Sequence, residues 1–129
     1  MSRTKDDLIA YRIQRACKTL DAAKTLAGSG HWNGMASQLY YACFYAVLAL
    51  LAKNDMDTYT HKDVKVILNE HFIKSGLVDT VWGKLYQKLF DNRNEADYED
   101  FIDFDEEEVG AFMEDAEHFV AVITSLAKQ

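Results

Sequence analysis

The chain has 129 residues, 49% of them hydrophobic, with two cysteines and no proline, which suits a single helical domain and argues against a disulfide-stapled scaffold or a proline-turned β fold. Its net charge of −7 is unevenly placed: residues 1–90 carry 12 Lys/Arg against 8 Asp/Glu, whereas residues 91–129 carry 2 against 13. A chain-wide electrostatic case for nucleic-acid binding is thereby excluded, and only a local basic surface on the first helices stays open.

The N-terminal stretch MSRTKDDLIAYR lacks the uninterrupted apolar segment of a signal peptide, so a cytoplasmic protein is expected. Ile9, Ile13, Ala16, Leu20, Ala23 and Ala27 alternate at spacings of four and three, which predicts a first helix over 4–27. Thr4 is its candidate cap, Asp6 and Asp7 suit the positive end of the helix dipole, and Gly28, Ser29 and Gly30 end it.

A second helix is expected over 33–53. Its longest apolar run, at 39–52, has 14 residues, too few to cross a bilayer and right for the centre of a bundle. On it Tyr41, Phe44 and Leu48 are expected in the core, with Tyr40 or Tyr45 left to line a dimer interface. Residues 54–59 form a connector. Thr60 then caps a third helix over 61–74, with Val64, Ile67, Leu68 and Phe72 facing inward.

Ser75 and Gly76 interrupt the pattern before a fourth helix, marked by Val78, Val81, Trp82, Leu85 and Leu89 and expected to end near 95. Residues 96–104, ADYEDFIDF, lose helical periodicity and read as a loop with aromatic anchors. Asp105 caps a last helix carrying Val109, Phe112, Ala116, Phe119, Ile123 and Leu126. Short connectors between amphipathic helices give an all-α, up-and-down bundle of four to five helices as one domain over 1–129.

Cys17 and Cys43 fall inside apolar helical patterns without metal spacing and are expected as reduced core thiols. Asp115 and His118 lie one turn apart, but a di-iron bundle needs two such pairs plus two more inward carboxylates, and Glu70 and His71 are adjacent instead. No metal and no cofactor is expected.

Four segments, ASQLYYACFYAVLALL at 36–51, THKDV at 60–64, HFIKSG at 71–76 and KLFDNRNEADYEDFIDF at 88–104, resemble small bacterial and archaeal HEPN proteins in the same order. The resemblance covers nearly the whole chain. It implies a helical bundle that pairs as a homodimer. Many such proteins are metal-independent ribonucleases with an arginine, a polar residue after it and a histidine four to six residues on, and several act with a minimal nucleotidyltransferase as toxin–antitoxin pairs. Arg93 matches the arginine and Asn94 the polar residue. Where the histidine is expected this chain has Tyr98, separated from Arg93 by four residues.

That replacement bears directly on the chemistry. Metal-free RNA cleavage needs a base for the 2′-hydroxyl and an acid for the leaving oxygen, tasks that suit histidine with its pKa near 6.5. A tyrosine near 10 forfeits roughly 3–4 units of basicity, and Asp97, Glu99 and Asp100 hold its proton on more firmly. Tyr98 is a poor general base, whereas Arg93 and Asn94 can still hold a phosphate.

Three readings follow. The first is a homodimeric nucleotide- or RNA-binding module that works with a nucleotidyltransferase, its ligand held by Arg93, Asn94, Tyr98, His61 and Lys62. The second is a ribonuclease with Arg93, Asn94 and Tyr98 as catalytic candidates, or with a histidine such as His61 brought in by folding. The third is a non-catalytic scaffold. His61 and Lys62 resemble a family pattern, with plain capping and solvent contact as the reading from the residues alone. In some relatives a tyrosine two positions beyond the histidine is modified by the partner enzyme; that position is Asp100 here, which leaves Tyr98 as the alternative target. The acidic stretch 95–108 suits a partner with a basic face, such as another copy's first helix through Arg12, Arg15 and Lys18.

Overall fold

The computed structural model describes residues 3–57 and 60–129. Helix α1 runs over Lys5–Gly28, α2 over Trp32–Lys53, α3 over His61–Ile67, α4 over Thr80–Tyr98, α5 over Glu106–Val109 and α6 over Phe112–Ala127; a π-helical turn, Leu68–Ile73, continues α3. Among the described residues every regular element is helical. Thr58 and Tyr59 of the expected 54–59 connector lie outside the described residues.

Local sequence sets the helix ends. Thr4 Oγ1 accepts from the Asp7 amide and Asp7 accepts from the Thr4 amide, a reciprocal cap. At the other end of α1, Gly30 takes φ +73°, and the amides of Gly30 and His31 reach back to the carbonyls of Ala27 and Leu26. This left-handed close turns the chain so that α2 returns along α1. The same pattern ends α2, where Asp55 at φ 56° closes onto Ala52 and Met56 onto Leu51.

Helix α2 is the centre of the bundle and packs against α1, α4 and α6. Met35, Leu39, Tyr40, Cys43, Val47 and Leu50 are all buried along it. Its length and hydropathy would suit a membrane span, yet 72% of that stretch is buried inside the bundle, the position of a core helix. Ile9, Ala16 and Ala23 of α1 and Ala116, Phe119 and Ile123 of α6 complete the core, as their spacing predicts.

Several expectations change register. Tyr40, left for an interface by the sequence reading, is fully buried, whereas Tyr41, Phe44 and Leu48 pack against the core only half-buried, as does Tyr45. On a helix with neighbours on several sides, hydrophobicity alone cannot rank one aromatic above the next. Val81 is 54% exposed and Tyr86 is buried in its stead, because the inward stripe of α4 passes through Trp82, Leu85, Tyr86 and Leu89. Cys17 is exposed, so only Cys43 is a core thiol.

Three boundaries also differ. The third helix widens into the π turn at Leu68–Ile73, where Lys74 N–H bonds to Asn69 O. Here Ile73 lies against Gly83 of α4: a Cβ at Gly83 would come within 2.4 Å of Ile73 Cδ1, so only glycine admits this approach unchanged. The last helix is broken at Gly110 and Ala111 into α5 and α6. Helix α4 runs on to Tyr98, past the end expected near 95, because Arg93 holds residues four and five positions ahead of it.

Candidate functional site

Arg93 points inward near the end of α4 and is 7% exposed. A guanidinium carries five N–H groups and no acceptor, so each must find an oxygen. Nη2 donates to the Tyr41 hydroxyl at 2.8 Å and to the Tyr98 hydroxyl at 3.1 Å. Nη1 donates to Asn94 Oδ1 at 3.1 Å. Nε lies 3.2 Å from Asp97 Oδ2, an ion-pair approach whose angle falls short of a hydrogen bond and leaves that buried N–H without an aligned acceptor. The other Asp97 oxygen accepts from Ser37 Oγ on α2.

The guanidinium also faces the rings of Tyr40, Tyr41 and Tyr98, 5.6, 5.2 and 5.1 Å from their centroids. Burial acts to lower the Arg93 pKa, but the hydrogen bond to Tyr41 and the fields of Tyr41, Tyr98 and Asp97 outweigh it, and the net shift is upward. The cation is permanent. Because arginine can only donate, Tyr41 and Tyr98 accept through oxygen and each keeps its own O–H for a further acceptor. Tyr98 is 71% exposed, so its hydroxyl carries the influence of the buried charge toward solvent.

His61 belongs to the same neighbourhood. As the first residue of α3 after the Thr60 cap, its ring lies 4.3 Å from Phe44, 5.6 Å from Tyr40 and 5.8 Å from Tyr41, centroid to centroid. His61 Nδ1 is 2.8 Å from the Tyr40 hydroxyl. Burial, and then the charge of Arg93, hold the His61 pKa below its ordinary 6.5. Folding therefore gathers His61 with Arg93, Asn94 and Tyr98 around the tyrosines of α2. Lys62 is left out; it is exposed on the solvent side of α3.

The depressed His61 value makes a prediction for stability. Its contribution is complete above the unfolded value of 6.5 and is lost as pH falls through the lower folded value, where the unfolded chain takes up a proton that the folded one resists. Urea unfolding of His61→Gln beside the parent should show a smaller slope of stability against pH below about 6.5 in the variant. Parallel slopes in the two proteins would contradict it.

The loop after α4 is pinned from beneath. Asn33 at the start of α2 donates through Nδ2 to Ile102 O and accepts through Oδ1 from Phe104 N–H, both at 2.9 Å. Between Tyr98 and this clamp, Phe101 stands fully exposed at φ 63°, an unfavourable conformation for a bulky residue. The aromatic anchor there is therefore Phe104, which packs on the core, and not Phe101 or Tyr98. Asn33→Ala should cost roughly 1–2 kcal/mol and speed cleavage by a glutamate-specific protease at Glu99. An unchanged cleavage rate would show that the clamp does not hold the loop.

Sequence reasoning missed Tyr40, Tyr41 and Ser37 as parts of this cluster, and reached Asp97 only as a surface ion-pair partner of Arg93, which is in fact buried. Asp97 had a local signal, its four-residue spacing from Arg93 on one helix. The α2 residues had none, since their approach to Arg93 is across helices. Of the basic residues expected to face an acidic partner, Arg12 donates to Leu48 O and Arg15 to the hydroxyls of Tyr11 and Tyr45 within the same chain, and Lys18 is exposed. Asp115 and His118 are both exposed on α6, and among the described residues no three His, Cys, Asp or Glu side chains gather as a metal site.

Known proteins match this chain along most of its length. A protein of Thermotoga maritima named "UPF0332 protein" is 34% identical over 122 residues, 95% of this chain and 92% of its own. Two proteins of Methanocaldococcus jannaschii, each named "Putative toxin", are 30% identical over 96 residues (74% of this chain, 65% of the relative) and 28% identical over 117 (91% and 87%). The family model described as the HEPN domain matches residues 9–126, which takes in α2, the start of α3 and the Arg93 helix together. This chain belongs to the HEPN domain family.

Proposed function

We propose that this protein is a homodimeric, toxin-like HEPN module of the cytoplasm that binds a nucleotide or RNA phosphate at Arg93, Asn94 and Tyr98 and acts with a nucleotidyltransferase partner. The observation that carries this reading is the way the buried guanidinium is held. Two of its N–H groups go to phenol oxygens, which leaves the Tyr41 and Tyr98 O–H groups to donate to an incoming anion. Asp97 offsets part of the charge, yet its side chain is 30% exposed and it meets only Nε. A phosphate at the Tyr98 end would then be recognised through hydroxyls strengthened as donors by the cation behind them.

Toxin-like action is supported by the names of the two archaeal relatives. Binding is preferred to cleavage because the residue at the motif-histidine position is Tyr98, a phenol whose oxygen already accepts from the Arg93 guanidinium. The ribonuclease reading draws on His61, which is held below its ordinary pKa beside Arg93.

The test is a thermal-shift series on the full chain with adenosine 5′-monophosphate and short RNA, beside Tyr98→Phe, which keeps the ring and removes the donor. Stabilisation of the parent, weaker in Tyr98→Phe, is the expected result. No shift with either probe would leave the scaffold reading. Light scattering at tens of micromolar should give a dimer, and a strict monomer would remove the homodimer from this reading. Incubation with structured RNA addresses cleavage, and products lost in Arg93→Ala would favour the ribonuclease.

A further inference from the structure

Behind His61 runs a buried chain of hydroxyls. Tyr86 and Tyr40 are both fully buried, their oxygens 3.5 Å apart, and the Tyr40 hydroxyl continues to His61 Nδ1. Burial pushes the Tyr40 pKa up to about 12 and raises that of Tyr86, so both are neutral phenols with one proton each. Two directions of donation are then conceivable. If Tyr86 donates to Tyr40 and Tyr40 to Nδ1, every proton in the chain has an acceptor, and the neutral imidazole carries its own proton on Nε2. If Nδ1–H donates to Tyr40 and Tyr40 to Tyr86, the Tyr86 proton is stranded, because Tyr40 is its one hydrogen-bond partner among the described residues. A stranded buried donor is the costlier state.

We propose that the Tyr86–Tyr40 chain fixes His61 as a neutral Nε2–H donor, so that His61 binds an oxygen of the phosphate-bearing ligand held at Arg93 and does not serve as a general base. Three observations meet here. Nε2 has no hydrogen-bond partner among the described residues, His61 and Arg93 flank the same two rings of Tyr40 and Tyr41, and an imidazolium would require Nδ1–H and so the stranded arrangement. Tyr40 and Tyr86 are thus positioning residues. The inference about the ligand rests on the proposed phosphate site, whereas the tautomer does not.

Nitrogen-15 NMR of the full chain with labelled histidine tests it, the His61 signals being identified by their loss in His61→Gln. Near neutral pH the expected pattern is a bare Nδ1 and a protonated Nε2; the opposite tautomer, or an imidazolium, overturns the proposal. Tyr40→Phe removes the proton donated to Nδ1, so its His61 should show an increased share of Nδ1–H, and an unchanged tautomer there overturns the relay. Adenosine 5′-monophosphate should move the Nε2–H resonance, and His61→Ala should weaken its binding roughly tenfold. Binding of the nucleotide without any change at His61 overturns the ligand role. Absence of nucleotide binding together with the expected tautomer supports the relay and sinks the phosphate site alone.

Discussion

Replacing Arg93 by alanine should destabilise the protein by roughly 2–3 kcal/mol and abolish any nucleotide-dependent rise in Tm. The truncation leaves Asn94 Oδ1 and the Tyr41 and Tyr98 hydroxyls without their donor, and Asp97 without its cation. Arg93, together with the Ser37–Asp97 hydrogen bond, ties the last turn of α4 to α2, so the loss should be felt in global unfolding and in fraying of 94–98. For a domain of this size the stability loss corresponds to a Tm lower by roughly 10 °C. Arg93→Lys should fold better than Arg93→Ala but still lose the nucleotide effect, because one ammonium cannot reproduce a planar fork directed at two phenols and an amide. Urea midpoints with and without adenosine 5′-monophosphate separate the two effects. An alanine variant as stable as the parent would mean that these contacts contribute little, and an undiminished nucleotide effect would move the site away from Arg93.

The second large effect is expected at Tyr40. This ring is fully buried and lies between 5.4 and 5.9 Å, centroid to centroid, from Tyr41, Phe44, His61, Tyr86 and Phe90. Tyr40→Ala opens a cavity among α2, α3 and α4 and should cost roughly 4 kcal/mol, within the range for aromatic truncations in cores. Tyr40→Phe fills the space but removes the hydroxyl between Tyr86 and His61, and should cost roughly 1–2 kcal/mol. The difference between the variants separates ring burial from the hydroxyl chain. Equal losses would mean that the hydroxyl, and not the ring, makes the dominant contribution. In Tyr40→Ala the His61-dependent slope of stability against pH should also flatten, since burial is the first cause of its depressed pKa and the opened cavity lessens it.

Much of the architecture follows from the one-dimensional pattern. Apolar stripes at three- and four-residue spacing placed five long helical segments, and Thr4, Thr60 and Asp105 mark helix starts because a short side chain there reaches an amide three residues on. Arg93 and Asn94 stood out by their place in a motif, and Asp97 could be reached from Arg93 by helical spacing alone. These relations lie within one helix, where sequence distance and spatial distance are tied by fixed geometry. What only the tertiary structure decided crosses between helices: that Tyr40 and not Tyr41 turns inward, that Tyr41 and Ser37 meet the Arg93 turn, that His61 comes to the same cluster, and that Tyr86 lies behind Tyr40. An α2 that is apolar nearly all round gives no rotational preference by itself, so its neighbours choose which aromatic is buried and which hydroxyl is left to act.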